Sequence, residues 1–154
     1  MPSQEVFAAM ADEVRQLVGA AVTSVHRFGP NGVATFLAGA GWRSDIQPGG
    51  TWAPDPAGVI STLWKTGRSV RMEHGDPPEH MLDTVRAEGL TSSLAGPITV
   101  GGRLWGAIAV SARHGTLAPD TEQRLGDVSD LVASAIANAT AAMSTHSSSP
   151  SRAR

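Results

Sequence analysis

The chain has 154 residues and a mass of 15.9 kDa, which suits a single domain with its own core. Its formal net charge of −2 gives no electrostatic basis for binding nucleic acid or an anionic membrane. The sequence has no cysteine, which excludes disulfides, thiolate metal sites, cysteine nucleophiles and thioether-linked chromophores. No apolar run is long enough to span a bilayer, so we expect a cytoplasmic protein.

The first half of the chain predicts one helix and a pair of strands. Apolar residues recur at spacings of three and four over residues 4–20, which is typical of a helix that packs on a core. Strands are predicted at Val22–Phe28 and 33–39. Between them, the Gly-Pro-Asn-Gly of residues 29–32 favours a turn, because proline presets φ and Asn-Gly tolerates the left-handed region. Residues 40–56 are rich in Gly and Pro and predict an excursion without regular structure.

The second half predicts three helices and three strands, divided by glycines. In chain order these are a helix at 57–66 ended by Gly67, a strand at 70–72, a helix at 78–88, strands at 94–100 and 104–111, and a long helix that has Pro119 at its first position. We assign residues 1–143 to one domain. Residues 144–154 are Ser-rich and lack apolar anchors, so they predict a disordered tail or linker. The order of elements indicates an α+β domain with an antiparallel sheet.

The last predicted helix carries a narrow apolar stripe. Its members step by three and four residues, as in a two-stranded coiled coil, and they are Leu125, Val128, Val132, Ala135 and Ala139. We interpret the stripe as the seam of a homodimer. The alternative interpretation is a stripe used within one chain, on a helix whose end frays.

Several short motifs resemble those of a GAF domain, especially the GAF domains of actinobacterial sensor histidine kinases. These motifs are LAGPI at 94–98, GRLWG at 102–106, PDTEQRL at 119–125, AIANA at 135–139 and KTGRSV at 65–70. The resemblance covers about residues 6–142. Each motif alone is weak, but their order and spacing are specific for the fold.

The resemblance implies a PAS-related fold, with a central antiparallel sheet, both terminal helices on one face and a pocket covered by loops and helices on the other. It also implies a non-enzymatic, small-molecule-sensing regulatory domain of a bacterial signal-transduction system, which signals through its terminal helices to an output kinase or other signalling domain. Family members that attach a bilin, or that reduce methionine sulfoxide, need cysteine, which this chain lacks. The residue set of the cyclic-nucleotide-binding members cannot be placed on this sequence.

Aromatic and methionine side chains mark the expected pocket. Trp42 and Trp52 lie in the Gly/Pro-rich excursion, which covers one sheet face in GAF-like folds, and apolar concavities of this kind are common ligand sites. The other candidates are Met72, His80 and Met81. The alternative is that both tryptophans pack the loop down as a small satellite core. Trp64 and Trp105 are predicted to be core residues.

The histidines allow a metal-site hypothesis that we do not favour. His74 and His80 lie in one segment with three carboxylates, and these residue types bind zinc or iron. Their spacing matches no ligand motif, so we expect a solvated polar loop and no metal. A haem role for His80 needs a register shift relative to haem-binding GAF sensors. His26 is expected to be a half-buried strand histidine, and no serine, histidine and aspartate stand in a catalytic pattern.

Three functional hypotheses follow from these features. The first is the ligand-sensing regulatory domain, with no resident cofactor beyond an unidentified small molecule. The second is a GAF-like scaffold without a ligand, which serves dimerisation or protein interaction. The third is a haem- or metal-dependent sensor that uses His74 or His80.

Overall fold

A computed structural model describes residues 1–54, 56–75 and 83–152, with the backbone alone at Trp52, Asp83 and residues 142–152. Apart from a two-residue strand at Thr51–Trp52, its helices and strands follow the order that the sequence predicts. They are α1 (Gln4–Val18), β1 (Val22–Phe28), β2 (Ala34–Ala40), β3 (Thr51–Trp52), α2 (Val59–Thr66), β4 (Val70–Glu73), α3 (Asp83–Glu88), β5 (Ser92–Val100), β6 (Arg103–Ala112) and α4 (Thr121–Arg152).

The six strands form one antiparallel sheet in the order β3-β2-β1-β6-β5-β4. The first and last long strands, β1 and β6, therefore pair at its centre, where Val25 lies opposite Ile108. The hairpin of β5 and β6 turns at Gly101 and Gly102 as predicted. The α+β class with a central antiparallel sheet is confirmed.

The two faces of the sheet carry side chains of different size. Successive residues of a strand point to opposite faces. One face carries large apolar residues that pack against α1 and α4, and these are Val25, Leu94, Ile98, Ile108 and Val110. The other face carries small residues, and these are Ser24, Ser93, Ala95, Ala107, Ala109 and Ser111. Helix α2 packs over the three alanines, so the core is two-sided and the small-residue face has room beside the helix.

The predicted turn at residues 29–32 is confirmed as a short 3-10 turn. Asn31 has φ of 60° and Gly32 has φ of 78°, the left-handed values that these residue types tolerate. A Cβ on Gly32 would lie 2.8 Å from Nε1 of Trp64, which packs here on Phe28. Trp64 is 37% exposed, so the prediction that it is a core residue was wrong. It covers a turn at the edge of the fold instead.

The structure differs from the sequence prediction in the excursion at residues 40–56 and at the start of α4. The excursion forms the two-residue strand β3 on the edge of β2, and Gly49 and Gly50 also pair with Phe36. This pairing satisfies backbone groups that an open edge would leave without partners. Helix α4 begins at Thr121, two residues after Pro119. Of the helix predicted at 78–88, only Asp83–Glu88 lies within the described residues.

The apolar stripe of α4 packs largely within its own chain. Leu125 is 1% exposed and Val132 is 4% exposed, and both belong to the core between the helices and the sheet. Val128 is half-buried against the same core. The 3-4 spacing arises because a helix that packs on a sheet needs the same one-sided stripe as a coiled coil. These residues therefore do not form a free seam, and Leu131 beside them is 72% exposed.

Helix α4 continues past the predicted end of the domain. Its backbone is helical to Arg152, which includes most of the segment predicted to be a disordered tail. Extending an existing helix costs much less than nucleating a new one, so a Ser-rich segment can follow α4 in helical form. Across the described ranges of the chain, no helix combines the length and apolarity that a membrane span requires.

Candidate ligand-binding site

A cavity of about 130 Å³ lies on the small-residue face of the sheet. Its floor is formed by β1, β5 and β6, and its cover by the start of α2, by α3 and by Trp42. The lining residues are Val22, Ser24, His26, Trp42, Pro54, Gly58, Val59, Ile60, His74, Thr84, Val85, Leu90, Ser93, Ala109 and Ser111. The cavity is mainly apolar with a few polar groups, which is the usual composition of a small-molecule site.

The polar groups of the cavity form two short hydrogen-bonded chains. Nε2 of His74 lies 2.8 Å from Oγ of Ser93, which lies 2.7 Å from Oγ of Ser111. On the neighbouring strand, Nε2 of His26 lies 2.7 Å from Oγ of Ser24. All five side chains are at most 8% exposed. The floor of the cavity therefore presents hydroxyl and imidazole groups that are already oriented.

Both histidines of the cavity are neutral at pH 7. Burial lowers the pKa of His26 from 6.5 to about 3. Burial also lowers the pKa of His74, and this outweighs the opposite effect of the Glu73 carboxylate. Among the described lining residues, none is an aspartate, glutamate, lysine or arginine. This part of the site is polar without carrying a net charge.

Trp42 holds the excursion against the sheet. Its Nε1 donates to the carbonyl oxygen of Thr23 at 2.9 Å, and its ring packs near Val22. Gly39 lies directly under the ring, where a Cβ would come within 2.6 Å of Nε1 of Trp42. A larger residue at this strand position would displace the ring.

Glu88 fixes the loop that carries Trp42. This glutamate is 1% exposed and accepts hydrogen bonds from the backbone N–H groups of Arg43 and Ser44, both at 2.9 Å, and from the Ser44 hydroxyl. Nη2 of Arg113, just after β6, donates to Glu88 at 2.7 Å. Burial alone would raise the pKa of Glu88, but these hydrogen bonds together hold it at about 2. The loop, α3 and the end of β6 are thereby tied to one carboxylate.

The structure places the five predicted pocket residues differently. Trp42 lines the cavity. The backbone of Trp52 lies in β3, at the far edge of the sheet. Met72 is half-buried in β4 opposite Ser93 but does not line the cavity. His80 and Met81 lie outside the described residues.

Sequence reasoning missed the polar floor of the cavity. His74 was expected in a solvated loop, but it is 8% exposed and bonded to Ser93. His26 is 5% exposed and was expected to be half-buried. The available signal was the two-residue period of the strands, which places Ser24 with His26, and Ser111 with Ala109, on the face opposite the large apolar residues.

The metal hypothesis gains no support within the described part of the chain, where no group of three histidine or acidic side chains could hold an ion. His74 uses Nε2 for its bond to Ser93, and its predicted co-ligand His80 is not described.

The model of the GAF domain family matches residues 2–136. No curated protein matches the chain. Many solved structures match the chain, and the three described next share its fold at 15–20% sequence identity.

Three of these structures are similar to the chain over most of its length. The blue-light absorbing form of the Thermosynechococcus elongatus PixJ GAF domain has a TM-score of 0.75 and 15% identity, over 94% of this chain and 90% of that one. A phycocyanobilin-bound GAF domain from a cyanobacterial phytochrome has a TM-score of 0.71 and 20% identity, over 90% and 86%. A domain assigned to a two-component sensor histidine kinase protein of Sinorhizobium meliloti 1021 has a TM-score of 0.69 and 16% identity, over 95% and 98%.

These likenesses show that the chain shares its fold with solved GAF domains. The family match covers most of the chain, including every strand. The chain belongs to the GAF domain family.

Proposed function

We propose that this chain is a regulatory domain of a bacterial signal-transduction system that binds a small molecule in the cavity and is not itself catalytic. The observation that carries the proposal is the half-open cavity on one sheet face, with oriented polar groups on its floor. One neighbour is assigned to a two-component sensor histidine kinase, which makes a kinase a reasonable output domain.

The sheet provides a short path from the cavity to the terminal helices. On β5, Ser93 faces the cavity and the next residue, Leu94, packs in the core with α1 and α4. Gly96 lies so close to α4 that a Cβ there would be 3.3 Å from the side chain of Leu125. A ligand that moves β5 would therefore move α4. For signalling, the ligand must bind more tightly to one of the two helix arrangements.

The test is a thermal-shift screen of a small-molecule library against the whole chain. A ligand at 100 times its dissociation constant adds about 2.7 kcal/mol of stability. Ala109→Leu fills the cavity and should abolish the shift. Ala133→Leu makes the same change at a half-buried position of α4, on the opposite side of the sheet, and should preserve it. If the larger side chain prevents folding, Ala109→Val replaces it.

The proposal also requires that ligand binding in the cavity changes the terminal helices. Hydrogen exchange with and without the best binder should change the protection of α1 or α4 amides. Stabilisation that Ala109→Leu leaves intact, or exchange that changes only near the cavity, would contradict the proposal. The outcome would then favour the scaffold function.

We also propose that two copies of the chain associate through α1 and α4. Leu17 is 53% exposed and Leu131 is 72% exposed, and both line an apolar groove of about 240 Å³ between the two helices. Helix α4 runs from this groove to Arg152, so a second copy placed there could pair along the helix. Exposed apolar surface of this kind is typical of protein contacts.

The test of dimerisation changes Leu131, because the central residues of the apolar stripe on α4 are buried in the chain's own core. Val132→Glu would place a charge in the core and unfold the chain, whereas Leu131→Glu changes an exposed side chain. We expect light scattering to show a dimer for the parent chain and a monomer for Leu131→Glu. Ala137→Glu adds the same charge at an exposed position on another face of α4 and should leave the dimer intact. A parent chain that is monomeric at all concentrations would refute this proposal.

A further inference from the structure

We propose that the cavity takes a neutral molecule of about one aromatic ring with a hydroxyl or carbonyl group, and that Ser111 is its hydrogen-bond partner. The inference rests on the proposed ligand-binding function and adds the chemical class of the ligand. Three observations carry it: the volume of the cavity, the absence of ionised groups from its described lining, and the order of the hydroxyls on its floor.

The volume sets the size of the ligand. An apolar protein cavity of about 150 Å³ holds one benzene molecule. The cavity here measures about 130 Å³ and is half-open, so it encloses about one ring, with a small substituent at its opening. A bilin has four linked pyrrole rings, which is more than a cavity of this volume encloses. The chain also has no cysteine to attach a bilin covalently.

The lining sets the charge of the ligand. Its described residues include no aspartate, glutamate, lysine or arginine, and burial keeps the imidazole of His74 neutral. Transferring a carboxylate or ammonium group from water to such a site without an opposite charge costs many kcal/mol. A neutral ligand avoids this cost.

The hydrogen bonds that link His74, Ser93 and Ser111 determine which polar group of a ligand Ser111 can bind. A hydroxyl has one donor and two acceptor sites. If Nε2 of His74 accepts from Ser93, then Ser93 accepts from Ser111, and the Ser111 oxygen remains an acceptor for a ligand hydroxyl. If Nε2 of His74 donates to Ser93, the direction reverses and the Ser111 hydroxyl remains a donor for a ligand carbonyl. Ser111 is the last of these three hydrogen-bonded side chains and has no other side-chain partner among the described residues.

The start of α2 supports a competing prediction, that the ligand is a small anion. Gly58, Val59 and Ile60 line the same cavity, and Gly58 provides no side-chain cap for the helix. The N–H groups at a helix N-terminus favour anions. A small carboxylate therefore tests whether α2, and not Ser111, selects the ligand.

The experiment measures the binding of single-ring probes to the whole chain by ligand-observed NMR, with thermal shift as a second readout. The probes are phenol, benzaldehyde, toluene, benzoate, benzylamine and biliverdin at pH 7.5. We expect phenol and benzaldehyde to bind five- to tenfold more tightly than toluene, which corresponds to about one net hydrogen bond. We expect no binding of benzoate, benzylammonium or biliverdin.

Ser111→Ala assigns the hydrogen bond. It should reduce the preference for phenol over toluene to about onefold while toluene still binds. Ser129→Ala is the matched control, because Ser129 is a buried serine on α4, on the opposite side of the sheet, and it should retain the preference.

The outcomes separate this inference from the function on which it rests. Binding of benzoate, benzylammonium or biliverdin at least as tight as phenol would overturn the ligand class and leave a sensing function intact. An unchanged preference in Ser111→Ala would overturn the role of Ser111. Failure of every probe, together with failure of the wider library screen, would overturn both the inference and the sensing function.

Discussion

At the scale of single residues, Trp42 joins the cover of the cavity to the sheet. Its indole donates a hydrogen bond to Thr23 on β1, and its ring packs over Gly39 on β2. It also lies against the small cluster of Val22, Val85 and Leu90. The two interpretations of this tryptophan, as a packing residue and as a pocket residue, are therefore compatible.

Trp42→Phe and Trp42→Ala separate these two contributions. Phenylalanine keeps most of the ring but loses the hydrogen bond to Thr23, so we expect a loss of about 1 kcal/mol in the free energy of unfolding. Alanine also removes the packing of a half-buried ring, and we expect a loss of roughly 2–3 kcal/mol together with weaker ligand binding. Urea denaturation at pH 7.5 measures both values. Equal values for both variants and the parent would show that the ring does not hold the loop.

The residue scale also shows where sequence reasoning stops. The period of β1 was sufficient to place Ser24 and His26 on one face, because β-strand alternation depends on the local chain alone. The burial of His74 was not predictable in the same way. It depends on the contact of a loop residue with Ser93, nineteen positions along the chain, and on cover from α3.

At the scale of elements, Glu88 connects three segments that are distant in sequence. The carboxylate at the end of α3 binds the loop at Arg43 and Ser44, and it pairs with Arg113 after β6. Arg113 in turn donates from Nη1 to the carbonyl oxygen of Gly41 at 3.0 Å. The position of the loop that carries Trp42 therefore depends on α3 and on the segment that leads to α4.

Glu88→Gln tests this connection. The substitution removes the negative charge and leaves the guanidinium of Arg113 without its ion-pair partner in a site that is largely buried. Breaking a buried pair from one side costs about 3–5 kcal/mol, and we expect a loss at the lower end of that range. Glu73→Gln is the control, because its pair with Arg71 is exposed, at 3.5 Å, and should be worth less than about 1 kcal/mol. Similar losses for both variants would contradict the assigned role of Glu88.

The sequence predicted the helices and strands better than it predicted what each of them packs against. Apolar spacing and turn residues gave the order of helices and strands and the positions of the hairpins. The stripe on α4 was located correctly, but its pattern does not distinguish a sheet from a second helix as the partner. The structure resolves this by burying Leu125 and Val132 in the chain's own core.

At the scale of the whole molecule, the sheet separates two compartments with different physical character. Large apolar side chains fill the space under α1 and α4, whereas small residues leave a cavity under α2. Two buried ionisable groups on the cavity side, His26 and Glu88, have pKa values far below their ordinary ones. The stability of the whole fold should therefore depend on pH.

The sign of this dependence is the same for both groups. Below pH 6.5 the unfolded chain protonates His26, but the folded chain does not until about pH 3, so stability is lost as the pH falls through this range. Glu88 adds a second loss of stability as the pH falls from 4.5, the ordinary pKa of its carboxyl group, to about 2, its pKa in the folded chain. We expect a nearly constant free energy of unfolding above pH 7. Below pH 6 it should decline by about 1.4 kcal/mol per pH unit for each group that titrates.

His26→Gln isolates the first of these losses. Glutamine cannot take up a proton, so the decline between pH 6.5 and 4.5 should become shallower. Among the histidines that the structure describes, His74, whose pKa burial also lowers, should then account for what remains of the decline. Urea denaturation of the parent and the variant at pH 7.5, 6.5, 5.5 and 4.5 measures the slope, which is independent of any constant loss caused by the substitution itself. Glu88→Gln should keep the decline above pH 4.5 and make it shallower below that pH, where His26 alone of these two groups continues to lower the stability down to about pH 3. A parent chain with equal stability at pH 7.5 and 4.5 would mean that His26 takes up a proton in the folded state as readily as in the unfolded one, and that its place on the floor of the cavity is open to water.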